Sequence, residues 1–459
     1  MTAGYKVSPG PVKNQSQNVL ALLRQYESRN VTYIDAGGSW PIVWERASGV
    51  HVWDVDGRKY LDLTAAFGVA AAGHANPSVV KAGQRQMARL LHAMGDVHPH
   101  PLKAQLAREL SRITFERWTD PTRATRNPTP QKAGRDGKCI LGNSGFEAVE
   151  AALKTALLAT GKPGVIAFEG AYHGLGYGAL NATHRRHFRA PFQSQLRAFG
   201  HFVPYPAHAA ELEKVSAAIQ RLLRRQSIGA ILVEPVQGRG GIRIPPPEFL
   251  PRLRRLCDNH QALLIADEIF TGFGRTGRWF ACEHSHTVPD LICLGKALTG
   301  GFPVSACVGK ADLMDAAWPE SDGEAIHTST YLGHPVGCAM ALAQIREIDR
   351  RGLVSRSARL GASLQAALQS LTRPPLVTLR SLGLMAGLEL RQPNRAPATR
   401  QTRRVIHAML DRGFILLPEG EAANVISFTP PLTITSAQLR ACIACLDSVL
   451  DAIGGRPCD

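Results

Sequence analysis

Seven short, continuous apolar runs, spaced through the middle of the 459-residue chain, are the feature that most constrains its fold. They are Cys139–Leu141, Val165–Phe168, Phe199–Val203, Ala230–Val233, Ala262–Ala266, Leu291–Leu294 and Val304–Val308. Each is bounded by Gly, Pro or charge, as strands buried on both faces of a mostly parallel sheet require. Helix-like stretches such as Glu147–Ala159 and Phe249–His260 lie between them. This alternation predicts an α/β fold with helices covering both faces of the sheet.

The alternation assigns residues 77–343 to a large domain. The flanks read differently. Val43–Leu63 predicts a strand pair around the turn Asp56-Gly57. After Met340 come a long helical pattern, strands near Leu376–Leu390, a helix at Thr402–Arg412 and a final strand and helix. Residues 1–76 and 344–459 are therefore assigned together to one smaller α+β domain that closes over the large one. The stretch Trp118–Lys138, polar and rich in Pro and Arg, predicts a mobile surface loop.

No apolar run is long enough for a bilayer, and the first ten residues lack the apolar core of a secretory signal. The net charge is +16, yet the basic residues are scattered, with small clusters at His184–Arg189, Arg221–Arg225 and Arg252–Arg255. That pattern fits an Arg-rich surface rather than a nucleic-acid site. Nine cysteines, mostly inside apolar runs, predict reduced thiols and a cytoplasmic protein. Cys442 and Cys445 fall on a helical pattern without a second pair and read as packing. Cys282, His284 and His286 also lack further ligands, so no metal site is expected.

Four places carry chemistry. The strand ending at Asp267-Glu268 either runs out into solvent or aims Asp267 at a buried cation, such as a protonated pyridinium nitrogen; alone, the solvent reading is the simpler. Lys296 follows a strand directly, between Gly295 and the pair Gly300-Gly301. An amine in so apolar a setting is nucleophilic and suited to Schiff-base chemistry, against the alternative of a lysine reaching out to water. Asn143-Ser144-Gly145-Phe146 opens the helix from Glu147, giving either a simple cap or a phosphate site of free N–H groups. Tyr172-His173 sits between glycines after a strand, where Tyr172 is placed to stack on a flat ring. Gly272–Gly277 matches GxGxxG, but no convincing helix follows, so a dinucleotide site is not expected.

Nine stretches in order extend these four: YLDL at 60–63, GHANP at 73–77, NSGFEA at 143–148, AYHG at 171–174, EPVQG at 234–238, DEIFTGFGRTG at 267–277, GKAL at 295–298, TYLGHP at 330–335 and PPL at 430–432. Together they resemble the class III aminotransferases, fold-type-I enzymes that use pyridoxal 5'-phosphate, over roughly residues 38–432. The resemblance implies that Lys296 carries the cofactor as an internal aldimine and shuttles the proton between substrate Cα and cofactor C4′. It implies that Asp267 pairs with the ring nitrogen. Ser144, Gly145 and the Phe146 N–H would hold the phosphate. Tyr172 would stack on the ring, with His173 in the cofactor-binding set, Ile269 on the other face and Glu234 nearby. Thr330 would reach the phosphate of a neighbouring subunit, implying a homodimer with shared sites.

The departures concern the cofactor's phenolic oxygen and the substrate. Many relatives have a Gln where Phe270 stands, so Gln237 or water must serve that oxygen, or the bond is absent. Arginines and an acid that handle glutamate in many relatives are here Leu175, Ser427 and Arg239. Arg239 is a candidate for the anionic tail of a substrate, and Glu419 and Glu421 for a second cation. The expected function is transfer of an amino group from a terminal amine to a 2-oxo acid. The alternative is a lyase on the same scaffold, acting on an amino-alcohol or aminophosphonate-like substrate.

Overall fold

The computed structural model describes residues 15–35, 40–119 and 136–453. The core of the predicted loop at 118–138 and the first fourteen residues lie outside these.

The first three strands are β1 (Trp44–Ser48), β2 (His51–Asp54) and β3 (Lys59–Asp62). The sequence predicts two strands here and the chain forms three. β2 and β3 pair antiparallel around Asp56-Gly57 as expected, and β1 turns back onto β2 through Gly49. Gly49 has φ 61°, which permits that tight reversal. β1 is almost wholly exposed, so it carries no apolar alternation to read.

The central sheet contains β4 (Gly137–Gly142), β5 (Gly164–Phe168), β6 (Gly200–Val203), β7 (Ile228–Val233), β8 (Leu263–Asp267), β9 (Leu291–Leu294) and β10 (Ser305–Lys310). Its order is β4-β10-β9-β8-β7-β5-β6. All seven predicted runs are present within about two residues at each end. β10 is antiparallel to both its neighbours, and the remaining pairings are parallel. β5, β7 and β9 are buried along their whole length, which is why they read as unbroken apolar runs. The helix Gly145–Thr160 packs on this sheet through Ala148, Val149, Ala151 and Ala152; small side chains allow close approach.

The rest of the chain adds β11 (Val377–Ser381), β12 (Ala386–Leu390), β13 (Phe414–Ile415), β14 (Leu417–Glu419) and β15 (Val425–Phe428). β13 joins β3 in parallel, so the two ends of the sequence share one four-stranded sheet. A second four-stranded sheet has the order β11-β12-β15-β14. The long helical pattern after Met340 is two helices, Pro335–Arg350 and Leu353–Gln369, divided at Gly352 with φ 58°. Cys442 is buried in the helix Ser436–Ala452, and the cysteines among the described residues are free thiols. No helix among the described residues is long and apolar enough to cross a membrane.

Candidate active site

β4, β5, β7, β8 and β9 run in the same direction, because β10 reverses twice between β4 and β9. Their carboxyl ends therefore meet on one edge of the sheet, where open α/β folds bind ligands. β4 delivers Ser144 and Gly145, β5 Tyr172 and His173, β7 Glu234, β8 Asp267, and β9 Lys296. The cavity at that edge holds about 370 Å³, and Gly145, Phe146, Tyr172, His173, Glu234, Arg239, Asp267, Ile269 and Lys296 all line it. Ser144 caps the helix at its rim. Thr330 is exposed in the turn before the helix Pro335–Arg350 and does not line this chain's cavity.

Lys296 is half-buried and lines the cavity. Burial pulls its amine below the usual lysine range, opposed by the negative charges of Asp267, Glu234 and Glu419 in that order. Its backbone has φ 39°, unusual for a side-chain-bearing residue and a place where strain is held by the surroundings. The amine lies 4.3 Å from the centroid of the Phe270 ring, whose face attracts a cation.

Asp267 is buried beside it. Its Oδ2 is 2.7 Å from His173 Nδ1, and its Oδ1 accepts the Ile269 N–H at 3.1 Å. An ionised carboxylate only accepts, so Nδ1 of His173 carries the hydrogen. Glu234 accepts the N–H groups of Tyr172 (3.0 Å) and Gly238 (3.1 Å). Burial nevertheless pushes the Glu234 carboxyl up to about 7, with His173 opposing and Asp267 adding to the rise. Glu234 thus fixes the backbone beneath Tyr172.

At the helix Gly145–Thr160, the Glu147 carboxylate reaches back to the N–H groups of Asn143 and Ser144. This capping leaves the N–H groups of Gly145 and Phe146 without an intrahelical acceptor. The Ser144 hydroxyl is buried with no partner. Three donors thus converge at the positive end of a sixteen-residue helix. Gly174, with φ 105°, lies so close that a Cβ there would stand 2.4 Å from that of Phe146.

Gln237 does not line the cavity: its side-chain amide donates to the Glu169 carbonyl at 2.9 Å. Phe270 does line it, so the position that is Gln in many relatives presents a ring. Ser427 is turned away, its hydroxyl donating to the Leu417 carbonyl. Glu419, a candidate for a second cation, instead faces Arg239 itself at 3.6 Å. Arg185 was missed as a site residue. It belongs to the basic cluster at 184–189, yet its Nη2 donates inward to the Arg239 carbonyl at 2.7 Å.

A half-buried amine, a buried carboxylate and a bare helix N-terminus at the carboxyl ends of parallel strands define an α/β enzyme built to hold an anionic, electrophilic ligand. The model of the family Aminotransferase class-III matches residues 33–450, and the chain belongs to that family. It is an aminotransferase of the pyridoxal-phosphate-dependent class III group. It is 37% identical to the 5-aminovalerate aminotransferase of Pseudomonas aeruginosa, over 90% of this chain and 94% of the relative. It is 34% identical to the 4-aminobutyrate aminotransferase of Escherichia coli, over 90% and 94%. Among solved structures it resembles the ornithine aminotransferase of Toxoplasma gondii (TM-score 0.80, 26% identity, 96% of each chain). It also resembles an amine transaminase from an uncultivated Pseudomonas species in its PLP-bound form (TM-score 0.79, 29% identity, 94% of this chain and 98% of that one). These relatives are all aminotransferases by name and lend no support to the lyase alternative.

Proposed function

We propose that this aminotransferase binds pyridoxal 5'-phosphate in the cavity at the strand ends and moves an amino group from a terminal amine to a 2-oxo acid. The observation that carries the reading is the Lys296 amine, enclosed in one cavity with the Asp267 carboxylate. The donor set fits the cofactor. The unpartnered Ser144 hydroxyl and the free N–H groups of Gly145 and Phe146 would take the phosphate. Lys296 would be the covalent anchor and Asp267 the counter-ion of the ring nitrogen, with Tyr172 and Ile269 against the ring's faces. When bound, the cofactor supplies an electron sink that makes the substrate's Cα–H acidic.

The chain's own groups do the rest. His173, held by its Nδ1–H on Asp267, fixes the direction of that carboxylate. Glu234 pins the Tyr172 N–H. Lys296, with its pKa lowered by burial, accepts and returns a proton at the substrate carbon. Phe270 and Ile269 line the cavity beside the amine.

A homodimer sharing its sites is part of the reading. Leu90, Leu91, Met94 and Val97 are exposed, and so are Ile326 and Tyr331. The two segments adjoin: Thr328 donates to Asp96 at 2.6 Å, and Tyr331 packs against His92. A second copy covering this apolar face would bring Thr330 to its neighbour's phosphate. The enclosed free thiols favour a cytoplasmic setting. We keep the division into 77–343 and the joined ends 1–76 and 344–459, with the helix Pro335–Arg350 carrying the chain between them.

The test is borohydride reduction of the yellow protein, followed by peptide mapping. The adduct is expected on Lys296, and Lys296→Ala is expected to abolish turnover while the protein stays folded. An adduct on another lysine would overturn the assignment. Amine donors screened with pyruvate and 2-oxoglutarate, reading both keto-acid consumption and free ammonia, test transfer against elimination.

A further inference from the structure

Tyr172 lines the cavity, and Glu234 holds its N–H. The described residues give its hydroxyl no hydrogen bond, so the tilt of its ring is left to packing. The basic cluster His184–Arg189 and the threonine before it supply that packing. They first grip the backbone on both sides of Tyr172. The His184 N–H donates to the Ala171 carbonyl at 2.9 Å, and the His173 N–H donates to the Thr183 hydroxyl at 2.9 Å. That hydroxyl donates in turn to the Gly174 carbonyl at 2.8 Å.

The chain then enters the short helix Arg186–Arg189. One turn of helix is unstable by itself, so its place is set by what holds its ends. At the start, Arg185 Nη2 donates to the Arg239 carbonyl at 2.7 Å. At the end, the Arg189 guanidinium lies 4.8 Å from the centroid of the Phe202 ring, on β6 beside β5. Phe188 stands between these two anchors. Its ring meets that of Tyr172 edge to face, with centroids 5.6 Å apart and planes at 66°. Phe188 is half-buried and does not line the cavity. The Arg239 guanidinium, 5.5 Å from the Tyr172 centroid, is a second brace on the same ring.

We propose that Phe188 is a positioning residue that sets the tilt of Tyr172 against the cofactor's ring. This rests on the reading that the cofactor's ring lies against Tyr172, and it adds what keeps that wall in place. Phe188 stands outside the cavity and acts only through Tyr172. A tyrosine already held at the binding angle loses little freedom when the cofactor arrives, which favours affinity. Without the phenyl edge behind it, the ring gains other orientations and meets the cofactor less squarely.

The test is equilibrium dialysis of pyridoxal 5'-phosphate against the apoenzyme. The forms compared are wild type, Phe188→Ala, Phe188→Tyr, Tyr172→Leu and the double variant of Phe188→Ala with Tyr172→Leu. Phe188→Ala is expected to weaken affinity about three- to tenfold, the worth of one edge-to-face pair. Phe188→Tyr keeps the ring and is expected to stay within about twofold of wild type. Tyr172→Leu is expected to weaken affinity as well, and adding Phe188→Ala to it to change nothing further. The visible circular dichroism of the holoenzyme reports how the bound ring sits. Its band is expected to change in Phe188→Ala and to return in Phe188→Tyr. Urea unfolding of each apoenzyme reports that the forms are folded. Unchanged affinity in Phe188→Ala overturns the proposal. So does an undiminished loss when Phe188→Ala is added to Tyr172→Leu, because the helix would then support the cavity as a whole. Normal affinity in Tyr172→Leu would refute the placing of the ring against Tyr172, and the proposal with it. Weakened affinity there, with normal affinity in Phe188→Ala, would refute the role of Phe188 alone.

Discussion

Replacing Asp267 by Asn separates the charge of this residue from its shape. The carboxylate is 5% exposed and has two partners, the Nδ1–H of His173 at 2.7 Å and the N–H of Ile269 at 3.1 Å. An amide oxygen can keep only one of these and brings no charge to face the ring nitrogen. Leaving a buried cation without its counter-ion costs about 3–5 kcal/mol. At roughly 1.4 kcal/mol per tenfold, that is about two to four orders of magnitude in the proton-abstraction step. The cofactor should remain bound, because Lys296 and the helix N-terminus at Gly145 are untouched. The assay is a stopped-flow half-reaction with one amine donor, following the visible absorbance of the cofactor. Asp267→Glu, which keeps the charge but displaces it, should recover part of the loss. A half-reaction in Asp267→Asn within tenfold of wild type would show that the carboxylate does not serve the ring and only orients His173.

Gly145→Ala places a Cβ 3.1 Å from the Cδ1 and Cγ2 of Ile269 and crowds the exposed N–H groups of the helix. Cofactor affinity, measured by equilibrium dialysis, should fall about tenfold, or roughly 1.4 kcal/mol, with the fold intact; an unchanged affinity would place the phosphate elsewhere. Glu234→Gln tests the buried carboxyl through pH. Its folded pKa of about 7 lies above the ordinary 4.5, so the native state holds a proton that the unfolded state releases across that window. Wild-type stability should therefore fall as pH rises from 4.5 towards 7 and level off above it, by at most about 3 kcal/mol for this group. The Gln variant lacks that fall, so urea unfolding of the apoenzyme should show its advantage growing between pH 5 and pH 8. A constant difference between the two would mean that Glu234 is ionised throughout.

The sequence was most legible where burial is simple and local. β5, β7 and β9 are enclosed on both faces, so an unbroken apolar run is the pattern they must show. Asp267 and Lys296 stand at or just beyond the ends of such strands, and chain direction alone puts them on one edge. β1 escaped because its side chains face water and any polar residue suits it. Gln237 illustrates a different limit. Its amide is taken by the Glu169 carbonyl, a partner 68 residues away that no pattern near position 237 announces. Arg185 and Glu419 show the same limit at the substrate end. One lies in a basic cluster and the other on β14, 234 residues later, and they meet around Arg239 only because the C-terminal sheet packs over the central one. Arg239 and Glu419 were each readable as candidates, but not that they face each other. Whether an arginine binds a ligand or merely closes a loop is decided by what else competes for it, and that is a property of tertiary contact.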